Sequence, residues 1–428
     1  MPHILILADH YPPLFAPRAL SIVRYLVEEG WHCVVCTEEV TEESMLSSGQ
    51  GNVFAGDEDP CRVERIRLRE KFNRWESLTQ ALWNAKDRLF EQRIEQLVEM
   101  NEIDLILAFS YRDFPLYAAS RLARRHNIPW VADCRDIVEQ YDEWRFIPNL
   151  PTHLSRVKKS MLKSLGYYLV RKRNSCLQCA SAVVTVSPWH VKQLEKSLPA
   201  VSVFCLYNGY DSNLFVPNPI ATDRFRIVYT GRIMSLGMRD PSLLFEALAS
   251  ETLRPLVERG EIVVDWYTDR HSMQLLEQVL AAYPERVRAV QCMHHSVRFQ
   301  KVPELLNGAA VILLLGNKEH AQGAHGIVST KLFEALAMQK PILYVRSDEA
   351  FVADMLQQVG VGLAATGSDE VIAFLQEKFA YRQKNGYNCI AKVEESFLHR
   401  FRRDVIAAKY SALLKGIMKK KPINQSNE

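Results

Sequence analysis

The first chemical signal in this sequence is a short group of residues. Ser329, Thr330, Lys331 and Glu334 follow a loop that holds Gly323, His325 and Gly326. Glycines let a ligand approach the backbone N–H groups, and a helix capped by Ser329 or Thr330 would add the positive end of its dipole. Such a place suits a phosphate. Lys331, in the first turn, is unfavourable for the helix by itself and becomes sensible when an anion binds there. Glu334, one turn further in, could accept hydrogen bonds from ribose hydroxyls. The plainer reading is an ordinary strand–helix–strand unit with a solvated lysine and glutamate, and a glycine loop alone does not separate the two.

A second group lies in Trp130-Val131-Ala132-Asp133-Cys134-Arg135-Asp136. An apolar run there delivers Asp133, Arg135 and Asp136 to one strand end. A carboxylate at that place could act as base toward an acceptor hydroxyl, or Arg135 and Asp136 could pair as a structural lock. Elsewhere, His10 and Arg18 flank the end of the first strand and read more readily as structural. Asp57-Glu58-Asp59 reads as a solvated acidic turn, and Trp75 and Trp83 could face an acceptor or pack, with packing the plainer reading. Cys176-x-x-Cys179 has no second pair, so buried reduced thiols explain it better than a metal.

The elements that position these groups alternate strand and helix. His3–Ala8 is a buried strand and Asp9-His10-Tyr11-Pro12-Pro13 a loop. Ala19–Glu29 has helical spacing stopped by Gly30, and Cys33–Cys36 is the next strand. A helical stretch over 70–100, a strand over Asp104–Phe109 and the strand at Trp130 follow. A basic amphipathic segment spans 151–173. It could lie on an anionic membrane or present a solvated face. Strand Ala182–Ser187 and helix Pro188–Ser197 close this half. The pattern restarts with strands at Arg226–Thr230, Ile262–Tyr267, Val287–Gln291 and Val311–Leu315. Asp240-Pro241 marks a helix start, Pro341 ends the helix after Ser329, and Ile342–Val345 is the next strand. Phe397–Ile417 reads as one long final helix. The alternation predicts an α/β fold of two doubly wound, Rossmann-like domains.

Size and charge agree with this. The 428 residues suit two domains, and 48% hydrophobic with 24% charged residues is globular composition. A net charge of +3 supplies no strong field for nucleic acid. No signal peptide or membrane-spanning stretch is read, so the expected location is the cytoplasm, with a possible peripheral place at the inner membrane face.

In order along the chain, several motifs now stand together: Ala16-Pro17-Arg18 after the first loop, Ala132-Asp133-Cys134-Arg135-Asp136, Val184-Thr185-Val186-Ser187, Tyr207-Asn208-Gly209-Tyr210-Asp211, Tyr229-Thr230-Gly231-Arg232, and Ser329-Thr330-Lys331-Leu332-Phe333-Glu334-Ala335-Leu336-Ala337. Together they resemble the glycosyltransferases of the two-domain B architecture, close to the family 4 retaining enzymes. The resemblance covers nearly the whole chain.

It implies an N-terminal acceptor-side domain at 1–207, a linker at 208–224 and a nucleotide-sugar-binding domain at 225–395. The two domains would face a cleft. A C-terminal helix at 396–418 would return toward the first domain, before a basic tail at 419–428. The donor would be a nucleotide-diphosphate sugar, the acceptor a glycan or lipid-linked molecule, and no cofactor or metal would be needed. Arg232, with Arg239 or Lys331, would neutralise the diphosphate. Ser329 and Thr330 would offer backbone N–H groups, and Glu334 would hold the ribose. Asp133, Arg135, Asp136 and His325 would stand at the reacting groups. The chain departs from the family where Gly326 replaces a frequent glutamate, with His325 beside it. It departs again where Leu14-Phe15-Ala16 replaces a glycine pair and Arg239 a lysine.

Overall fold

The computed structural model describes residues 1–40, 59–68, 79–80, 82–100, 102–111, 113–140, 156–316, 326–346, 350–386 and 393–419. The chain divides into two compact units, Met1–Asn208 with Arg403–Glu428, and Gly209–Arg402.

The first unit is built on seven strands: β1 (His3–Ala8), β2 (His32–Glu38), β3 (Arg62–Ile66), β4 (Leu105–Ser110), β5 (Trp130–Cys134), β6 (Ala182–Thr185) and β7 (Val203–Cys205). All pairs are parallel, in the order β3-β2-β1-β4-β5-β6-β7. Parallel neighbours need crossover connections, usually helical, on the faces of the sheet. Its central strands are therefore buried on both sides and read as unbroken apolar runs. Ile4-Leu5-Ile6-Leu7 and Leu105-Ile106-Leu107-Ala108 do so, with no residue more than marginally exposed.

The covering helices are α1 (Pro17–Glu28), α2 (Ala85–Met100), α3 (Leu116–Arg125), α4 (Arg156–Leu177) and α5 (Pro188–Ser197). Local chemistry sets their ends. Pro17 opens α1 where a missing N–H costs nothing, and the Ser187 hydroxyl caps α5 by accepting from His190 N–H. The terminal helix, Arg403–Lys419, also belongs to this unit and packs on α1.

Arg18 of α1 ties these elements together. It is buried, and its Nε donates to Asp133 Oδ2 at 2.9 Å. Its two terminal nitrogens donate to the Tyr207 carbonyl at 2.6 Å and to the Tyr410 hydroxyl at 3.1 Å. Tyr410, on the terminal helix, donates in turn to Asp133. Burial works to lower the pKa of Arg18; Asp133 and Tyr410 outweigh it and raise it.

The second unit repeats the plan. Strands β8 (Phe225–Thr230), β9 (Ile262–Thr268), β10 (Gln291–His295), β11 (Val311–Leu315), β12 (Ile342–Val345) and β13 (Gly362–Ala365) lie parallel in the order β10-β9-β8-β11-β12-β13. Four of its helices are α6 (Ser242–Ala249), α7 (Arg270–Leu280), α8 (Thr330–Ala337) and α9 (Ser368–Asn385). Tyr229, Phe245 and Trp266 anchor its core, with Trp266 5.3 Å from Tyr229 and 5.9 Å from Phe245 between ring centroids. In each unit the strand order reverses beside the first strand, between β1 and β4 and between β8 and β11. Ligands of doubly wound sheets gather at the carboxyl ends of strands at such a reversal.

Several sequence expectations are corrected. Val287–Gln291 is not a strand. Glu285–Ala289 is a short helix and the strand is Gln291–His295, because Val287 and Val290 are buried three residues apart, at helical spacing, while Arg286 and Arg288 form ion pairs with Glu251 and Glu285. The final helix is not continuous from Phe397. A short helix, Glu395–His399, ends where Phe401 C=O accepts from Tyr210 N–H at 3.0 Å and Arg402 bridges to Tyr210, so that backbone is extended there. Trp83 is not packed but 61% exposed. Of the cysteine pair, Cys176 is buried and Cys179 exposed. Trp75 lies outside the described residues, as do most of the acidic turn and the start of the basic segment; Asp59 of that turn pairs with Arg65 at 2.9 Å.

The Arg18 node makes a stability prediction. Arg18→Met leaves Asp133 buried without its cation and should destabilise the first unit by roughly 3–5 kcal/mol. The double variant Arg18→Met/Asp133→Leu should recover a large part of that. Denaturant unfolding, with hydrogen exchange followed in β5 and the terminal helix, measures both; equal losses in the single and double variants would show that the pair is not the cause.

Candidate functional site

At the carboxyl ends of β8, β9 and β11 in the second unit, cations gather around the start of α8. Ser329 caps that helix, with its hydroxyl accepting from Lys331 N–H at 3.3 Å, and the Ser329 carbonyl accepts from Leu332 N–H at 3.1 Å. Thr330 is the first helical residue. The side chain of Lys331 folds back across the end of β8. A Cβ placed on Gly231 would collide with Lys331 Cε and stand 2.8 Å from its Nζ. Gly231 has φ +136°, a conformation that other residues rarely adopt. The glycine after β8 is thus a seat for the lysine.

Two arginines complete the group. Arg232 Nε donates to Asp269 Oδ2 at 2.8 Å, and Asp269 caps α7 by accepting from Ser272 N–H at 2.8 Å. Burial works to raise the pKa of Asp269. Hydrogen bonds from Ser272, together with the charge and hydrogen bond of Arg232, prevail and hold it below its ordinary value. Arg239 donates to the Arg232 carbonyl, which also accepts from the Tyr229 hydroxyl at 3.0 Å. Glu334 is buried one turn into α8.

These charges act on Lys331. Burial of its ammonium is the largest effect, and repulsion from Arg239 and Arg232 adds to it. Glu334 opposes them, and the outcome is a pKa lowered to about 8. Beside the group is a small cavity of about 50 Å³, lined among others by Tyr229, Arg239, Gly316, Ser329, Lys331 and Tyr344. That is room for a phosphate-sized group. A helix N-terminus and three cations meet at one edge, so an anion placed there would be stabilised by each of them.

The structure therefore gathers Arg232, Arg239, Ser329, Thr330, Lys331 and Glu334 in one place. His325 lies outside the described residues. Gly326 is described, and its φ of +69° is the left-handed conformation that suits glycine.

In the first unit the strand-end group is split. Asp133 is fully buried on Arg18 and Tyr410, so its carboxylate supports the edge from within and does not face an acceptor. Arg135 and Asp136 are half-buried just beyond it. The Arg135 guanidinium stands 5.9 Å from the centre of the Tyr111 ring, and the centre of the His10 ring lies 5.5 Å from that of Tyr111. Sequence reasoning missed Glu38 and Lys86 here. Lys86 Nζ is 2.6 Å from Glu38 and 3.8 Å from Asp9; burial lowers its pKa, and these two carboxylates raise it overall. Glu38 ends β2 and Lys86 opens α2, positions that carry no local motif.

Among the described residues, no group of three or more His, Cys, Asp or Glu is placed to hold a metal ion, and no helix is long and apolar enough to cross a membrane.

Residues 15–209 match a family model described as a glycosyl transferase 4-like domain. No curated protein matches the chain. Among solved structures, HepE from Anabaena in complex with UDP-glucose is 15% identical with a TM-score of 0.62; the match covers 97% of this chain and 99% of that one. Sucrose-phosphate synthase from Thermosynechococcus elongatus is 13% identical with a TM-score of 0.65, over 98% and 100% of the two chains. A glycosyltransferase from Rickettsia africae is 12% identical with a TM-score of 0.64, over 98% and 99%. At these identities the likeness is one of fold.

The electrostatics of Lys331 can be tested directly. Its ionisation, followed by NMR of the methylated lysine, should have a midpoint near pH 8. Arg239→Gln should raise the midpoint and Glu334→Gln lower it. The folded state holds Lys331 below its unfolded pKa. The stability difference between the protein and Lys331→Met should therefore shrink or reverse as pH falls from above 10 through about 8, because the ammonium is the form that folding disfavours.

Proposed function

We propose that this chain, which has the two-domain B fold of glycosyltransferases and a glycosyl transferase 4-like domain over residues 15–209, moves a sugar from a nucleotide-diphosphate donor to a glycan or lipid-linked acceptor. The observation that carries this reading is the set of cations at the start of α8, where burial first, and then repulsion from Arg239 and Arg232 that Glu334 only partly offsets, holds Lys331 down to about 8.

A diphosphate seated there would supply an opposing charge. As the glycosidic bond to the donor breaks, negative charge grows on the leaving diphosphate, and fixed cations that need no rearrangement stabilise it more in the transition state than in the ground state. Lys331 and Arg239 are the groups for this role. Arg232 is shared with Asp269, which orients it. Glu334 would take the ribose hydroxyls. Retention of configuration, a place in surface polysaccharide or glycoconjugate synthesis and independence from metal belong to the same reading, as does peripheral membrane contact through 151–173. In the first unit, Arg135 and Asp136 are the candidates for the acceptor side, with His325 assigned beside the donor sugar.

One observation favours a second reading. Gly326 occupies the place of a frequent family glutamate, in a left-handed conformation that would strain a glutamate. A transferase fold kept for binding or scaffolding would fit that loss, and so would a hydrolase or epimerase using the same donor. A requirement for added acceptor in turnover separates transfer from the latter two.

The reading is tested by thermal melting against UDP, GDP, ADP, dTDP and their sugar conjugates. A ligand at about a hundred times its dissociation constant should add roughly 2.7 kcal/mol of stability. Lys331→Ala and Glu334→Gln should each weaken that donor by about tenfold or more, the cost of a lost charged hydrogen bond, with the circular dichroism spectrum unchanged in its absence. At pH 8 donor binding should take up protons, because the diphosphate raises the Lys331 pKa; calorimetry in buffers of different ionisation enthalpy measures this. No shift from any nucleotide would favour the scaffolding reading.

A further inference from the structure

The helix α4 has an unusual composition. Seven of its 22 residues are Lys or Arg and none is Asp or Glu, in a chain whose total net charge is only +3. Its second half is anchored. Arg173 is buried and makes two hydrogen bonds to Glu139, at 2.6 and 2.7 Å, and Cys176 and Leu177 are buried in the unit. Its first half is different. From Lys158 to Arg171 none of its side chains is buried, and Met161 and Tyr167 are 67% and 69% exposed.

The exposed residues fall into register. Met161 and Tyr168 are two turns apart on one stripe, and Lys163, Tyr167 and Arg171 form the adjoining row at intervals of four. Tyr168, 44% exposed, donates from its hydroxyl to the Leu82 carbonyl at 2.7 Å, and Lys172 donates to the Gln80 carbonyl at 2.9 Å. The segment ending in Trp83 is thereby laid along the helix, with Trp83 itself exposed and its carbonyl fixed by Arg88. The patch thus combines amphipathic aromatics, a methionine and the exposed cations Lys163 and Arg171.

We infer that this face of the first unit, formed by Trp83 and the outer side of α4, docks on an anionic lipid bilayer. Three features select a bilayer over a protein partner or a second copy. Tyr and Trp rings prefer the level of lipid headgroups, where one end is apolar and the other wet. The apolar residues are rimmed by Lys and Arg, whose long stems can lie along the interface while their charges meet phosphates. A second copy of the same face would bring the exposed Lys163 and Arg171 against their own copies. A basic helix with an aromatic face, lying in the plane of the interface, binds through buried apolar area and attraction to anionic headgroups together.

The inference extends the reading of a lipid-linked acceptor, and it is tested apart from that reading: vesicle binding is scored without donor, and donor-induced melting without vesicles. The full chain is sedimented with vesicles of phosphatidylcholine alone and of phosphatidylcholine with an equal part of phosphatidylglycerol. Binding to the second and little to the first is expected, and it should weaken with salt. Lys163→Glu/Arg171→Glu should reduce it by roughly tenfold or more. Trp83→Ser/Tyr167→Ser should reduce it comparably while circular dichroism and melting stay unchanged. A blue shift of tryptophan emission on vesicles should disappear in Trp83→Phe. Failure of the unaltered chain to bind anionic vesicles would overturn the inference, as would equal binding by both double variants. Self-association abolished by those variants, without vesicle binding, would reassign the face to a second copy.

Discussion

A guanidinium with no access to water must place its donors on the protein, and Arg18 places them on three segments far apart in sequence. Asp133 lies 115 residues away, Tyr207 189 and Tyr410 392. The carboxyl end of β5, the last residues before the chain leaves the first unit and the helix with which it returns are all held by this one side chain. Asp133 cannot lose Arg18 without becoming a buried carboxylate with no cation beside it, so the elements depend on one another more tightly than apolar packing alone would require. Arg135 and Asp136, one and two residues beyond the end of β5, inherit their position from it.

The second unit works by an opposite principle. There the charges are not matched. Lys331, Arg232 and Arg239 crowd the positive end of α8, with Asp269 shared by a helix cap and Glu334 set one turn deeper. Gly231 makes the crowding possible, since any side chain at that point would expel the lysine. Strain of this kind is tolerated in folded proteins where a ligand relieves it. One unit is therefore closed by complementary charge, and the other is left open to it.

Much of this was legible from local sequence. Pro188 after Ser187, Pro341 after the helix of Lys331 and the apolar runs of β1, β4 and β11 report their own structure, because each depends on residues within a few positions. The grouping of Ser329, Lys331 and Glu334 was legible for the same reason. Other features were not. β3 reads Arg-Val-Glu-Arg-Ile and owes its strand state to pairing with β2, not to composition. The break before Arg403 is imposed by a bridge to Tyr210, and the choice of Asp133 over Asp136 as the buried carboxylate is made by Arg18. Trp83 looked like a packing residue because of its size and apolar ring, and nothing near it in sequence marks it as exposed.

The return of the terminal helix also bears on how the chain is made. A ribosome releases residues 1–208 long before Tyr410 exists, and the whole of Gly209–Arg402 is synthesised in between. During that interval α1 lacks the helix that covers it, and Arg18 and Asp133 lack the hydroxyl they share. The second unit is continuous in sequence and can complete itself as it emerges. The first unit, although synthesised first, is the one that finishes last.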